Sequence, residues 1–405
     1  MAPRSPPARR RFLEASAGAA VAGWLAPLAA ALSQGSANEQ GEKLMGTVPF
    51  VGEGAFPLES TVGAGLGKRR ALDLSTLAPG AGLTPPDEFF IRTGCPERLP
   101  PTASWKVRVH GLVEAPLEVP IEELRREVVP VGVHLLECAG NSRAAHFGFI
   151  SAASWTGVKL ERVLARARPQ RAVSQVLVSG FDEHATPDPG SVPGASWIFG
   201  LDQIRDAGAF LATEMNGAPL APDHGYPLRL VVPGWYGCTA IKWVNEITLV
   251  DAEAPATDQM REYAGRTHQE PAGPRDRQLM EAGRRPEGPR LARDFQPATL
   301  DPAALPVRVE RIASREGQVS YRVVGILWGG RVRPRALGIR FNPDLSFAPV
   351  EEIGGAGGPW EVWSHGFHPP GPGRYRIELT VKDPGVRTRR LDMGFYAREI
   401  DIPGT

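Results

Sequence analysis

The sequence predicts an α+β chain in which a mixed α/β domain is followed by an all-β sandwich. Three observations carry this prediction. Between residues 105 and 250, short alternating or wholly apolar runs are interrupted by short helix-like segments. After residue 305, runs of period two are separated by Gly and Pro turns, the pattern of a sandwich of about 100 residues. The 46 Gly and 40 Pro in 405 residues favour turns, irregular loops and short strands over long helices.

Taken in order, the chain opens with Arg9-Arg10-Arg11-Phe12-Leu13 and an uncharged apolar run from Ala15 to Leu32. A charged segment before an apolar one is a secretory signal, and this order is of the twin-arginine type. Residues 1–37 are therefore expected to be a signal peptide cleaved between Ser33 and Ala37, giving a periplasmic protein exported already folded. The run is rich in Ala and Gly, which argues for a signal over a membrane anchor. Residues 38–83 read as a Gly-rich extended arm. Within it, Gly63 to Lys68 imitates a phosphate loop but fails: Val62 stands where the first Gly belongs and Arg69 where Ser or Thr belongs.

Trp105 to Gly111 alternates as a half-buried strand does. Leu117–Val119 reads as a strand passing into a helix that Pro120 begins. Val131–Leu136 reads as a strand, Val158–Ala165 as a short helix, and Gln175–Ser179 and Leu228–Val232 as buried strands. Residues 264–303, rich in Arg, Pro and Glu, read as a linker or solvated wrap. The sandwich, residues 304–405, takes strands from 307–312, 319–323, 337–341 and 375–381. The first domain is thus 84–263.

Charge and cysteine counts exclude whole classes. A net charge of +1, from 46 Lys and Arg against 45 Asp and Glu, is wrong for a nucleic-acid binder. Cys95, Cys138 and Cys238 form no CxxC, CxxCH or Cys/His cluster, so a zinc ribbon, an iron–sulfur centre and covalently attached haem are not expected. An odd count of three excludes a disulfide framework.

Two segments carry chemistry. Cys138 closes a strand and is followed by a small-residue turn and Arg143, a placement that suits a ligand; a nearby cation would favour the thiolate that binds soft or high-valent metals. A buried structural thiol is the alternative. His224 and Arg229 sit on a turn-and-strand unit as candidate anion ligands, Arg because its fork donates two parallel hydrogen bonds. A turn histidine with no ligand is the alternative for His224.

Taken together, Thr84–Arg92, Cys138-Ala139-Gly140-Asn141, Glu214–Gly217 with Asp223–Arg229, and Ile241-Lys242-Trp243 resemble the sulfite oxidase family of molybdenum enzymes in order and spacing over roughly 84–263. The resemblance implies a molybdopterin cofactor with one molybdenum, bonded to the protein through Cys138, in a sulfite oxidase fold followed by an immunoglobulin-like sandwich that mediates homodimerisation. Carried over by position, Phe90, Ile91, Arg92, Thr93 and Gly94 line the cofactor and Asp182 binds the pterin. His224 and Arg229 hold the phosphate end, and Ala240, Ile241 and Lys242 complete the cradle. Arg92 and Arg143 would form the oxyanion pocket, and Tyr263 would hydrogen-bond an oxo ligand or substrate. The implied reaction is oxidation of sulfite to sulfate by oxygen transfer. Electrons would pass to a separate periplasmic c-type cytochrome, since no haem motif lies in this chain.

The match is incomplete at three places. Family members that oxidise sulfite often carry His two residues after the pocket Arg, where this chain has Gly94. Cys95 and Cys238 are either a disulfide or, the favoured reading, two buried thiols. A further substrate Arg from the second domain has candidates in Arg322, Arg340 and Arg374, each more easily read as a solvated strand residue. A related molybdoenzyme acting on sulfane sulfur, a sulfoxide or another oxyanion is therefore an alternative. So, in another class, is a periplasmic binding protein with an inactive molybdenum site. Trp328, Trp360 and Trp363 read as core residues or as part of a dimer surface.

Overall fold

The computed structural model describes residues 42–54, 67–78, 80–181, 195–269, 289–354 and 358–404. The expected signal segment and Asp182 lie outside the described residues. No helix among the described residues is long and apolar enough to cross a membrane.

Two sheets build the first domain. One has five strands in the order Leu117–Pro120, Lys106–Gly111, Val244–Val250, Gln175–Gly180 and Ser196–Gly200. Lys106–Gly111 pairs with Val244–Val250 in parallel, while the other pairings are antiparallel. The alternation read in Lys106–Gly111 turns Val107 and Val109 fully inward. The second sheet is antiparallel, in the order Arg229–Val231, Phe210–Met215, Ile150–Lys159 and Val129–Glu137, with Ala218–Pro219 beside Phe210–Met215. It delivers Glu137 and Cys138 at the end of one edge strand and Arg229 at the start of the other.

The helix expected over 158–165 begins instead at Leu160 and runs to Arg166. Its apolar positions Leu160, Val163 and Leu164 face the core, with Glu161 in the first turn and Arg166 in the last, as the helix dipole favours. Val158 belongs to the preceding strand, Ile150–Lys159, whose Ser and Ala residues carry little strand signal. That strand is buried on both faces, so small side chains suit it where alternation would not.

The sandwich packs a five-stranded sheet against a four-stranded one. The first runs Lys43–Val48, Ala303–Ala313, Val319–Trp328, Trp360–Phe367, Glu352–Ile353; the second runs Ala348–Pro349, Leu337–Phe341, Gly373–Val381, Arg398–Ile402. Trp328, Trp360 and Trp363 are buried in the core. Trp363 lies flat on Gly325, where an added Cβ would stand 2.1 Å from Cζ2 of the indole. That close approach explains the glycine in mid-strand.

Two stretches outside the first domain take definite places. In the described part of the arm, Lys43–Val48 is extended as the edge strand of the sandwich, and Phe50 bridges Ile400. The described part of residues 264–303 is solvated only in part. Phe295, Ala298 and Leu300 are buried, and Trp235 bridges Thr299. Few apolar residues in that stretch hide a contact made largely by backbone pairing and a handful of side chains, which composition does not register.

The arm is bolted to both domains through one buried ion pair. Arg398 donates to both Glu53 carboxylate oxygens at 3.0 and 2.8 Å, to the Pro306 carbonyl at 2.7 Å and to the His146 carbonyl at 3.1 Å. Both side chains are within 4% of full burial. Breaking a buried pair leaves an uncompensated charge, so Arg398→Met is expected to cost about 3–5 kcal/mol of stability. The double change with Glu53→Leu is expected to recover much of that loss. Urea denaturation of the two variants checks this.

Candidate active site

The turn after the strand Val129–Glu137 places Cys138 at the floor of a cleft of about 740 Å³ including its open mouth. Phe89, Phe90, Arg92, Thr93, Asp223, His224, Arg229, Ala240, Ile241, Lys242, Gln259 and Tyr263 are among the residues that surround it. Four segments far apart in sequence therefore converge: 89–93, 138, 223–242 and the helix Asp258–Tyr263. Of the sequence-predicted site residues, Phe90, Arg92, Thr93, Cys138, His224, Arg229, Ala240, Ile241, Lys242 and Tyr263 all line this cleft. Ile91 is buried behind it, its backbone bridged to Arg70. Gly94 is beside Thr93 but is not among the lining residues.

Arg143 departs from its expected place. Its Nη2 donates to the Ala397 carbonyl at 2.6 Å, and Nε lies 4.0 Å from Glu53. It belongs to the junction with the sandwich and is not among the cleft-lining residues, so the geometry does not pair it with Arg92. The reason is local: the turn at Arg143–Ala145 ends in His146 and Phe147, both in the left-handed region, which carries the chain toward the sandwich.

The Cys138 thiol is buried and accepts a hydrogen bond from Gly140 N at 3.3 Å. Burial raises its proton affinity; the Arg92 guanidinium, the Gly140 N–H and the Arg266 guanidinium oppose this without reversing it. The nearby cations therefore do not by themselves make the thiolate expected from the sequence. Cys95 and Cys238 are free thiols, as is Cys138.

The rim is cationic. Arg229 donates to the carbonyls of His224 at 3.1 Å and Ala240 at 3.5 Å, and lies 5.5 Å from the centre of the Trp155 ring. Burial pushes its guanidinium down to about 10. Lys242 donates to the Asp223 carbonyl at 2.9 Å and to the Thr93 carbonyl. His224 Nε2 is 3.0 Å from the Pro86 carbonyl, so the neutral ring donates there. Burial pushes its pKa down to about 4; the Pro86 carbonyl opposes the shift, and Arg229 and Lys242 add to it. Burial alone would raise Asp223, but the hydrogen bonds from Lys68 at 2.5 Å and from Cys95 N at 2.8 Å hold it below the usual range. Three cationic side chains thus face the cleft against one carboxylate that is already paired.

Sequence reasoning missed four contributors. Lys68, the end of the failed phosphate loop, anchors Asp223. Arg69 is close enough to Arg92, Tyr263 and Cys138 for each to act on it, and burial first and Arg92 second lower its pKa to about 10. Gln259 donates to the Cys238 carbonyl and accepts from Ser196 N at 3.2 Å. Arg266 lies 5.3 Å from the centre of the Tyr263 ring, and an added Cβ on Gly140 would stand 3.4 Å from its Nη1. Gln259, Tyr263 and Arg266 recur at spacings of four and three, the one signal that could have found them on a common face.

The donor set fits an anionic cofactor held by one thiolate. Arg92 Nη1 and Arg229 Nε are buried with no hydrogen-bond partner among the described residues, an arrangement that costs free energy unless an acceptor enters. No cluster of three or more His, Cys, Asp or Glu that could hold a metal is present among the described residues, so a metal in this cleft would have to bring most of its own ligands. Molybdopterin, with a phosphate at one end and a dithiolene-bound metal at the other, meets both conditions.

His224 gives the first test. Its pKa of about 4 in the folded chain is below the ordinary 6.5, so the unfolded state binds more protons between those values. Stability is therefore full above pH 6.5 and falls as pH drops toward 4, by up to about 3 kcal/mol from this residue. His224→Gln is expected to flatten that part of the stability–pH curve, as read by urea denaturation of the apo protein at a series of pH values.

Residues 94–257 match the family described as the oxidoreductase molybdopterin binding domain. The chain is similar to an NADPH-type nitrate reductase of Aspergillus niger, 33% identical over 198 residues that make up 44% of this chain and 22% of the relative. It is also similar to the sulfite oxidase of Gallus gallus, 34% identical over 200 residues, or 45% of this chain and 43% of the relative. The matched stretch therefore spans less than half the length of these curated relatives. In fold it resembles the sulfane dehydrogenase SoxCD of Paracoccus pantotrophus, with a TM-score of 0.60 at 19% identity over 81% of this chain and 79% of that one.

Proposed function

We propose that this chain, which belongs to the sulfite oxidase family of molybdopterin oxidoreductases, oxidises a small sulfur oxyanion, sulfite first among the candidates, and passes the electrons to a separate c-type cytochrome in the periplasm. The observation that carries the reading is the cleft with Cys138 at its floor and two buried guanidinium atoms, Arg92 Nη1 and Arg229 Nε, without acceptors.

Bound in the cleft, the molybdenum–molybdopterin group supplies two-electron redox chemistry and oxygen transfer. Sulfite and water give sulfate, two protons and two electrons. The chain's own residues do the rest. Cys138 is the metal ligand. Arg229, His224 and Lys242 hold the anionic phosphate end: Arg229 and Lys242 by charge, His224 as a neutral ring already oriented by Pro86. Arg92 attracts and orients the substrate anion in a partly desolvated pocket, where a fixed guanidinium acts more strongly than in water. Tyr263, whose hydroxyl burial keeps protonated, is a hydrogen-bond donor at the same wall.

A second reading, oxidation of sulfane sulfur, has two supports. Gly94 stands where sulfite-oxidising members often have His, and the fold is shared with a sulfane dehydrogenase over four-fifths of the chain. Export by the twin-arginine route and homodimerisation through the sandwich belong to the same proposal.

Protein produced with its signal in a molybdopterin-competent host is expected to carry stoichiometric molybdenum and to reduce cytochrome c when sulfite is added. Molybdenum with turnover on sulfane sulfur but not on sulfite would establish the second reading, and absence of molybdenum would overturn both. Cys138→Ser is expected to abolish turnover on every substrate of the panel while leaving the circular dichroism spectrum unchanged. Arg92→Gln is expected to lower kcat/KM for the anion by roughly 10- to 100-fold, the worth of one hydrogen bond between charged groups.

A further inference from the structure

Cys138 is held on both sides by the other domain. On its N-terminal side, Glu137 is fully buried and its carboxylate crosses the boundary: Oε2 accepts from Trp328 Nε1 at 2.8 Å, and Oε1 accepts from Tyr396 OH and Asn141 Nδ2, each at 3.4 Å. On its C-terminal side, the buried Arg390 donates from Nη2 to the Ala139 carbonyl at 2.8 Å and to the Arg266 carbonyl at 2.7 Å. The Arg390 guanidinium is fixed between the rings of Tyr236 and Phe395, 4.8 and 5.4 Å from their centres. Trp328 and Tyr396 meet edge to face at 5.4 Å, so the two donors to Glu137 also brace each other. Asn141 closes the turn from inside, accepting from Phe149 N at 3.0 Å.

The chemistry of this arrangement is unusual for a packing contact. A carboxylate is a costly group to bury, and an apolar side chain would fill the same seam more cheaply. What a carboxylate adds is direction: two lone-pair-bearing oxygens, each aimed by a donor from a different strand or loop of the sandwich. Residues 137 and 139 are then each held by the sandwich, on either side of the thiol.

We propose that Glu137 is a positioning residue for Cys138, and that the sandwich domain, through Trp328, Tyr396 and Arg390, sets the direction in which the thiol faces the cleft. On this account the second domain is part of the site although none of its side chains lines the cleft among the described residues. The functional consequence rests on reading Cys138 as the molybdenum ligand; the positional claim concerns this chain alone and is tested without the metal.

The test is alkylation of the apo full-length protein with iodoacetamide under native conditions, following Cys138, Cys238 and Cys95 separately by peptide mass spectrometry. Glu137→Leu and Trp328→Phe are expected to change the Cys138 rate by about tenfold, the equivalent of one lost buried hydrogen bond, with Cys238 and Cys95 within about twofold of wild type. Glu137→Gln keeps an acceptor for the indole N–H and is expected to restore the wild-type Cys138 rate. Equal acceleration of all three thiols would mean loosening of the fold and would overturn the proposal, as would an unchanged Cys138 rate in both variants. Should Glu137→Leu not fold, Trp328→Phe against Glu137→Gln decides the matter by the same criterion. Molybdenum analysis of the loaded wild-type protein is read separately, so failure of the cofactor reading and failure of the positioning claim appear in different measurements.

Discussion

Excess positive charge gathered in one largely buried cleft is the constraint on which the rest of this structure depends. Arg92, Arg229 and Lys242 face the cleft while its one carboxylate, Asp223, is committed to Lys68. Removing guanidinium groups from water costs several kcal/mol each unless acceptors replace the lost hydration. The protein supplies part of that replacement through backbone carbonyls: His224 and Ala240 for Arg229, and Thr93 and Asp223 for Lys242. The acceptors are supplied to some atoms and withheld from Arg92 Nη1 and Arg229 Nε. A cleft of this kind is better matched by an anion than by water.

Holding those walls requires segments that no single sheet can supply. The edge strand Val129–Glu137 brings Cys138, the short strand Arg229–Val231 brings Arg229, and the helix Asp258–Tyr263 brings Gln259 and Tyr263. The arm adds Lys68 and Arg69 from a different direction. The sandwich closes the back through Glu137 and Arg390, and Glu53 with Arg398 ties arm, sandwich and the turn after Cys138 together. Each connection replaces a solvated polar group with a paired one, so the domain seam is polar where it approaches the site and aromatic around it, with the rings of Phe147, Phe395 and Tyr396 meeting edge-on or tilted at 5.1 to 5.7 Å between centres.

Strands with clean alternation were legible from the sequence, because Val107 and Val109 or the period-two runs of the sandwich alternate with residues that meet water. The strand Ile150–Lys159 was not legible, since burial on both faces removes the alternation. The cleft itself was largely legible: the motif segments that suggested a molybdenum site contribute Phe90, Arg92, Thr93, Cys138, His224, Arg229 and the 240–242 turn to one surface. What the motifs hid was direction. Arg143 follows Cys138 by five residues, yet the left-handed pair His146 and Phe147 turns its segment to the seam. Arg69 and Arg266 lie outside every motif and reach the site because the arm and the end of the helix fold back on it. Contacts of that sort depend on chain reversals far from the residue concerned, which local pattern does not encode.

The absence of a histidine at position 94 acquires a physical meaning in this setting. The loop 93–95 is fixed by its backbone: Lys242 donates to the Thr93 carbonyl, and Cys95 N donates to Asp223 at 2.8 Å. A loop anchored through main-chain atoms does not need the side chain at 94 for its shape. Charge near Arg92 is supplied instead by Arg69, whose lowered pKa of about 10 registers both burial and the repulsion between the two guanidiniums. A histidine contributes a proton that comes and goes near neutral pH, whereas a guanidinium remains charged throughout that range. Part of the positive charge beside Arg92 therefore comes from a residue of a different segment and stays constant across neutral pH.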